Sequence, residues 1–297
     1  MKTALIAIGR RENQYAREWV KHHLALGFDH IYIYDNNHDG EEMFIDVLMD
    51  YVEQGRVTII DYRNQEKAQR PAYNDAYRRV SSHYDWLAFF DFDEFLCLGR
   101  TEGEGRTDGT DGTDIFAAYE RQGEGRTDST DGTDGEKPLR AFLEGLPQEY
   151  NCVMVPWLMM TDSGLVRNDG RPLMQRFTES TTRGGGQGKC IVRGGIGGLR
   201  FTNSVHVPYE PVLRCCTPKG EPTIQKRHQP GDTTVAYLKH FSTKTIEEWL
   251  SNKMQKGAAG ITYDTFREKY KDYFFTINER TPEKEAFINN YLKNHKL

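Results

Sequence analysis

Two aspartates separated by one residue are the strongest chemical signal in the sequence. Asp91, Phe92, Asp93 and Glu94 directly follow the apolar run at residues 86–90, which is typical of a buried strand. Carboxylates two positions apart at a strand end can reach one cation, and hard oxygen ligands of this kind suit Mg²⁺ or Mn²⁺. Such an ion keeps coordination positions open for phosphate oxygens. Asp91 and Asp93 are therefore candidate metal ligands, although a triplet of this kind also occurs by chance as a solvated turn.

The elements before this motif alternate between strand and helix patterns. Helical spacing begins near Glu12, Phe44 and Pro71, and Gly27 and Gly55 are placed to end the first two helices. Apolar runs that predict strands lie at residues 4–8, 30–34, 57–60 and 86–90. Alternating strands and helices predict a parallel sheet whose strand carboxyl ends share one edge, where open α/β sheets bind ligands.

Two further polar clusters follow strands at that predicted edge. Arg10, Glu12 and Asn13 come after the first strand, and Asp35 comes after the second. An acid at the end of the second strand can accept hydrogen bonds from a nucleotide base or from ribose hydroxyls. We therefore expect these four residues to line a nucleotide pocket.

The second half of the chain predicts a mixed sheet and terminal helices. A helix at 139–146 and a strand at 152–157 precede a glycine-rich stretch, and short strands continue to residue 240. Residues 245–297 have a helical pattern. We predict one α/β domain over residues 1–297, with a central, mostly parallel mixed sheet flanked by helices and a C-terminal helical segment.

Residues 101–136 interrupt this pattern as an acidic insertion. They contain eleven acidic residues and three arginines, and the twelve residues from Gly103 recur from Gly123 with one substitution. The segment lacks the apolar residues that a core requires, so we expect it to be disordered. Calcium binding is the alternative interpretation, but the spacing of an EF-hand loop is absent.

Composition excludes several classes of protein. No apolar run approaches the ~20 residues of a membrane span, and the N-terminal apolar run is too short for a signal peptide. Five cysteines without a CxxC pair favour a reducing cytoplasm. A net charge of -5 without a basic face argues against nucleic-acid binding.

Several motifs together resemble the GT-A glycosyltransferases of family 92 and their family 2-like bacterial relatives. In chain order they are Glu12-Asn13-x-Tyr15-x-x-Glu18-Trp19-Val20-x-His22-His23, Leu26-Gly27-Phe28-Asp29, Tyr73-Asn74-Asp75-Ala76-Tyr77, Asp85-Trp86-Leu87-Ala88-Phe89-Phe90-Asp91-Phe92-Asp93-Glu94, Val155-Pro156-Trp157, Lys189-Cys190-Ile191-Val192 and His240-Phe241-x-x-Lys244. Their order and spacing extend over most of the chain outside the insertion.

The resemblance implies a GT-A fold and an inverting hexosyltransferase with a nucleotide-sugar donor, most often a UDP-sugar. It implies a glycan acceptor in surface polysaccharide or lipopolysaccharide synthesis, and a lipid-linked acceptor would place the enzyme peripherally at the inner membrane face. In the family pattern the second acid of the triplet ligates Mn²⁺ or Mg²⁺, which favours Asp93 over Asp91. A C-terminal histidine often joins it, so His240 is the third candidate metal ligand.

Four more residues are candidates for donor binding or proton transfer. Lys189 and Lys244 can neutralise a diphosphate, although an isolated lysine is more often simply solvated. Inverting transfer requires a base for the acceptor hydroxyl, and Asp162 and Glu210 are the candidates. Trp157 can stack on a sugar face or belong to the core.

Two other functions fit parts of the sequence. A metal-dependent nucleotidyltransferase also uses paired aspartates, but it releases pyrophosphate instead of a nucleoside diphosphate. A noncatalytic binding protein would use the acidic repeats to recruit a cationic partner, and deletion of residues 101–136 would then abolish recruitment. The donor sugar, the linkage and the acceptor depend on loops that the sequence does not place.

Overall fold

The computed structural model describes residues 1–99, 137–184, 186–209, 211, 213–223, 231–256 and 272–295, so the predicted insertion at 101–136 lies outside the described residues. The N-terminal half has the predicted alternation of strands and helices. Its elements are β1 (Thr3–Gly9), α1 (Asn13–Leu26), β2 (His30–Asp35), α2 (Phe44–Glu53), β3 (Val57–Asp61), α3 (Gln69–Val80), a 3-10 turn (Ser81–His83) and β4 (Trp86–Phe89).

The second half contributes shorter elements. They are β5 (Glu94–Leu98), α4 (Pro138–Glu144), β6 (Cys152–Met160), α5 (Leu173–Arg176), β7 (Ser180–Thr181), β8 (Gly188–Arg193), β9 (Cys215–Cys216), β10 (Ala236–His240), α6 (Ile246–Glu248), a π-helical turn (Trp249–Lys253), α7 (Met254–Lys256), α8 (Phe274–Ile277) and α9 (Pro282–His295). The C-terminal helices follow β10, as the sequence predicts.

The strands form one mixed sheet in the order β3-β2-β1-β4-β8-β6-β10-β5, and β7 and β9 pair with β6. β1, β2, β3 and β4 are mutually parallel. β8 is antiparallel to both β4 and β6, so β6 runs in the direction of β4, and β10 is parallel to β6. The carboxyl ends of β1, β2, β4, β6 and β10 therefore share one edge, here called the carboxyl edge. The predicted α/β fold with a mixed sheet is confirmed.

Strand β1 shows why a continuous apolar run becomes the centre of this sheet. Leu5 and Ala7 pack into the apolar cluster that contains residues of α1 and α2, whereas Ala4 and Ile6 pack into the cluster that contains residues of α3. All four are fully buried. Successive side chains of a strand point to opposite faces, so a strand covered on both faces needs apolar residues at every position.

Buried ion pairs connect the C-terminal helices to earlier parts of the chain. Arg176 of α5 makes a two-pronged contact with Glu248 of α6, with both N–O distances at 2.9 Å. Lys284 of α9 lies 2.5 Å from a carboxylate oxygen of Asp162, which follows β6. Within the described residues, every helix falls short of the length and apolarity that a membrane crossing requires.

Candidate functional site

The acidic turn between β4 and β5 is held in place by an aromatic helix residue and by a glycine. Trp19 of α1 donates from its indole N–H to the carbonyl oxygens of Asp91 (3.0 Å) and Glu94 (2.9 Å). Phe92 is buried and stacks on Phe44 with ring centroids 4.7 Å apart. A Cβ on Gly9 would lie 2.6 Å from Phe44, so only glycine fits at this end of β1. The alternation of acid, aromatic and acid therefore sends Phe92 into the core.

Both carboxylate oxygens of Asp91 contact protein donors, and its side chain is 32% exposed. Its Oδ1 accepts hydrogen bonds from Gln69 Nε2 (2.5 Å) and from the Tyr73 hydroxyl (3.0 Å), and its Oδ2 lies 2.9 Å from Lys189 Nζ. Lys189 has no exposed surface and also lies 3.7 Å from Glu94 Oε2. Burial acts to raise the pKa of Asp91, but the Lys189 ammonium outweighs burial and lowers that pKa below its usual range. Gln69 and Tyr73 lie four residues apart on one face of α3, a signal that sequence reasoning missed.

Asp93 faces a histidine on the neighbouring strand pair. β10 is antiparallel to β5, and this register places His240 opposite Glu94. His240 Nε2 lies 3.7 Å from Asp93 Oδ1, and Lys253 Nζ lies 3.4 Å from Asp93 Oδ2. Burial lowers the pKa of His240 to about 4, so its imidazole is neutral at pH 7. Burial opposes ionisation of Asp93, but the Lys253 ammonium lowers the pKa of this carboxyl below its ordinary value.

Asp93 and His240 are the donor pair that fits a divalent cation. A carboxylate oxygen and a neutral imidazole nitrogen both ligate Mn²⁺, and their 3.7 Å separation allows them to share one ion. Among the described residues no group of three His, Cys, Asp or Glu side chains has the arrangement of a metal site. Cations that act on phosphates often use only one or two protein ligands and take the rest from water and substrate. Asp91, whose oxygens already contact Gln69, Tyr73 and Lys189, fits this role less well.

Trp157 lies between two histidines next to this pair. Its ring centroid is 4.2 Å from that of His240 and 5.1 Å from that of His206. The Trp157 ring is partly buried, and its indole nitrogen finds no hydrogen-bond partner within the part of the chain that the structure describes. His206 is held through Nδ1, which lies 3.1 Å from the carbonyl oxygen of Gly188. The Trp157 ring therefore forms an aromatic surface next to the pair Asp93 and His240.

Glu12 contacts two lysines that lie close to Lys253, the lysine that pairs with Asp93. Lys244 Nζ is 3.7 Å from Glu12 Oε2, and Lys256 contacts the other carboxylate oxygen. Lys244 was a sequence candidate, and the structure brings it together with Glu12. Lys253 and Lys256 were not sequence candidates, because the helical pattern of the C-terminal segment does not indicate that this segment returns to the carboxyl edge.

Asp35, Asn13 and Arg10 form a separate group at the ends of β1 and β2. The Asp35 carboxylate accepts the backbone N–H of Asn37 (3.0 Å) and that of Phe44 (2.8 Å), and the residue is 3 % exposed. Asn13 Oδ1 accepts a hydrogen bond from the side chain of Asn37. Arg10 pairs with Glu41, with 3.2 Å between Nε and Oε2. These contacts fix the first turn of α2, and a nucleotide role for the group stays a prediction.

The structure describes Asp162, one of the two candidate bases. Asp162 is paired with Lys284, and the two side chains are only 4 % and 2 % exposed. The backbone N–H of Asp162 also donates to Asn278 Oδ1 at 2.6 Å. This places Asp162 in the anchor of α9, away from bulk water. Glu210 lies outside the described residues.

Comparison with known proteins identifies relatives of the N-terminal part. The sequence model of glycosyltransferase family 92 matches residues 8–114, a range that contains Asp91 and Asp93. Galactan β-1,4-galactosyltransferase GALS3 of Arabidopsis thaliana is 35% identical over 96 residues, which are 30% of this chain and 19% of that protein. A glycosyltransferase family 92 protein of Ricinus communis is 31% identical over 94 residues, 30% of this chain and 15% of that protein.

The chain therefore spans about a fifth or less of the length of these curated relatives. Among solved structures, residues 1–349 of S. aureus TarS superpose with a TM-score of 0.30 and 10% identity, over 57% of this chain and 38% of that chain. Residues 8–114 of the chain are thus similar to glycosyltransferase family 92, the family that its motifs resemble.

Proposed function

We propose that this protein is a metal-dependent, inverting glycosyltransferase that transfers a sugar from a UDP-sugar to a glycan acceptor. The observation that carries the proposal is the pair Asp93 and His240 at the carboxyl edge, 3.7 Å apart, in a chain that matches glycosyltransferase family 92 up to and beyond Asp93. The relative GALS3 is named as a galactan β-1,4-galactosyltransferase, so UDP-galactose is the first donor to test.

In the proposed reaction, each residue of the site has a separate role. The acceptor hydroxyl attacks the anomeric carbon, a base removes its proton, and the nucleoside diphosphate leaves. Mn²⁺ or Mg²⁺ bound by Asp93 and His240 would neutralise charge that develops on the leaving diphosphate. Asp91, fixed by Lys189, holds the acidic turn in shape. Trp157 offers an aromatic face to a sugar ring.

The base is the role that still needs an experiment. Asp162 would have to separate from Lys284 before it could accept a proton, so substitution of Glu210 is the more informative test. We further propose that the protein works in the cytoplasm on a surface-glycan acceptor, in peripheral contact with the inner membrane face if that acceptor is lipid-linked.

We predict that Asp93→Asn reduces transfer by about a hundredfold or more, because the substitution removes the charge that binds the metal. The measurement is release of UDP from a panel of UDP-sugars, beginning with UDP-galactose, with and without Mn²⁺. Asp61→Asn is the matched control, since Asp61 ends the edge strand β3 with a side chain that is 65% exposed. Asp61→Asn should retain parent activity.

Three results would contradict the proposal. Equal transfer by the parent protein and by Asp93→Asn would remove this carboxylate from the reaction. Release of pyrophosphate from a nucleoside triphosphate, with no reaction of any nucleotide sugar, would favour the nucleotidyltransferase instead. The absence of both reactions, with the acidic repeats retaining a cationic partner, would favour the binding protein.

A further inference from the structure

Three of the five cysteines lie together on one face of the sheet and are here called the thiol cluster: Cys152 of β6, Cys190 of β8 and Cys215 of β9. All three pack into the apolar cluster that contains residues of α3. Cys216 packs into the cluster on the other face, because successive residues of a strand point to opposite faces. The pairing of three strands that are distant in the sequence therefore brings the thiols of the cluster together.

The register of the strands distinguishes the two neighbours of Cys152. Cys215 is its direct partner in the parallel pairing of β6 with β9. Neighbouring strands lie about 4.8 Å apart, and a disulfide joins residues whose Cα atoms are about 4.4–6.8 Å apart. Cys190 lies opposite Met154, two residues along β6 from Cys152, and such diagonal neighbours are about 7–8 Å apart. The backbone therefore favours a bond from Cys152 to Cys215 over one to Cys190.

The Cys152 thiol interacts with the thiols of both other members of the cluster. Its hydrogen bonds with Cys190 and with Cys215, together with burial, raise the pKa of Cys152 well above its usual value. The hydrogen bond with Cys152 lowers the pKa of the Cys215 thiol, although burial opposes this change. Of this pair, Cys215 therefore ionises more readily, and the thiolate is the nucleophilic form of cysteine.

Exposure distinguishes the same residue. Cys215 is 9% exposed, whereas Cys152 and Cys190 are fully buried. A small oxidant therefore reaches the Cys215 sulfur before it reaches the other two. A thiol of lowered pKa with a second thiol beside it is the arrangement that redox-sensing cysteines use.

We propose that Cys152 and Cys215 form a disulfide when the protein meets hydrogen peroxide. The Cys215 thiolate attacks one peroxide oxygen, the O–O bond breaks, hydroxide leaves, and Cys215 becomes a sulfenic acid. Cys152 then loses its proton and attacks the Cys215 sulfur, so that the S–S bond forms and a second hydroxide leaves. The two thiol protons convert the two hydroxide ions to water. Two thiols are thus oxidised while one peroxide is reduced to two water molecules.

The disulfide would join a short strand covalently to a central one. β9 has two residues, and the carbonyl oxygen of Arg214 before it accepts the backbone N–H groups of Asn151 (3.1 Å) and Cys152 (3.2 Å). Asn151 Oδ1 in turn accepts the backbone N–H of Arg214 at 2.8 Å. These hydrogen bonds keep the reduced thiols in partner positions. The disulfide closes a long loop and therefore stabilises the fold, independently of the proposed function.

The test is treatment of the full chain with hydrogen peroxide, followed by blocking of the remaining thiols, proteolysis and mass spectrometry without reductant. We expect a pair of peptides joined through Cys152 and Cys215, with the other three of the five cysteines blocked. We also expect the thermal midpoint to rise by about 5 °C or more, and dithiothreitol to reverse both changes.

Cys152→Ala and Cys215→Ala should each lose the cross-link and the rise in the midpoint. Cys190→Ala should keep both, because Cys190 occupies the diagonal position. Cys97→Ala is the matched control, since Cys97 lies on β5 outside the thiol cluster, and it should also keep both.

Three results with the parent protein would overturn the inference, whether or not the variants fold. The first is retention of all five thiols after peroxide treatment. The second is a cross-link that joins Cys152 to Cys190. The third is oxidation of Cys215 to a sulfinic acid without any cross-link.

Discussion

The two aspartates of the turn after β4 are chemically similar, but they have different neighbours. Asp91 contacts the fully buried Lys189, whereas Asp93 contacts the partly exposed Lys253 and faces His240. The sequence alone predicted the acids, since they follow a strand. The family resemblance favoured Asp93 over Asp91 as metal ligand, but the two lysine neighbours could not be predicted, because they come from parts of the chain about a hundred or more residues away.

At the residue scale, we predict that Lys189→Met lowers the free energy of unfolding by about 3–5 kcal/mol, as expected when one partner of a buried ion pair is removed. The substitution removes the counter-ion that Lys189 provides to the buried Glu94 and to Asp91, whose side chain is 32% exposed. Urea unfolding measures the change. Lys137→Met is the control, because the Lys137 side chain is 46% exposed in its pair with Asp29, and its loss should cost less than about 1 kcal/mol. Equal losses in the two variants would contradict the prediction.

At the scale of elements, the sequence predicted the structures that depend on local patterns and missed those that depend on contacts between distant segments. The elements β1 to β4 were predicted because each is a local run with its own period, and helices between parallel strands fix their order. The sequence did not predict that β8 lies between β4 and β6 or that β10 lies between β6 and β5, since those pairings join segments that are distant in the chain. His240 reaches Asp93 only through that second pairing.

An element-scale prediction concerns the end of β1. Gly9→Ala would place a methyl group 2.6 Å from Phe44 and 2.7 Å from Phe92, so the rings must shift and the acidic turn must move with Phe92. We expect a loss of about 1–3 kcal/mol in unfolding free energy, typical of overpacking, together with weaker UDP binding.

Gly197→Ala is the control for Gly9→Ala. Nothing lies within 4 Å of a Cβ at Gly197, so both its stability and its UDP affinity should match those of the parent. Thermal unfolding and calorimetry measure the two properties. A Gly9→Ala protein as stable as the parent would contradict the prediction, because it would show that the Phe44 and Phe92 rings accommodate the methyl group.

At the scale of the whole molecule, buried histidines make the stability of the fold depend on pH. His22 on α1 is held by the carbonyl oxygen of Leu96 at 2.7 Å, and burial lowers its pKa to about 4. Burial also lowers the pKa of the adjacent His23 well below its usual value. In the unfolded chain both residues titrate near their ordinary value of about 6.5.

Between pH 6.5 and pH 4 the unfolded chain therefore binds a proton at His22 that the folded chain does not bind, so the free energy of unfolding falls as the pH falls. From pH 7 to pH 5 we expect His22 to account for about 2 kcal/mol of that loss. His22→Gln should lose correspondingly less over the same interval in urea unfolding, whereas the exposed His83→Gln should behave as the parent does. An unchanged slope in His22→Gln would contradict the prediction.

Strand β5 begins at the acidic turn and runs away from the carboxyl edge. It spans Glu94–Leu98, about 13 Å of extended chain, and ends at the opposite edge of the sheet. The chain resumes near that opposite edge, where Lys137 pairs with Asp29 just before β2. The described residues on both sides of the segment that contains the tandem repeats therefore lie at the edge opposite to the proposed chemistry. A gain or loss of a repeat copy would therefore change the length of the chain between two positions that lie away from the described residues of the carboxyl edge.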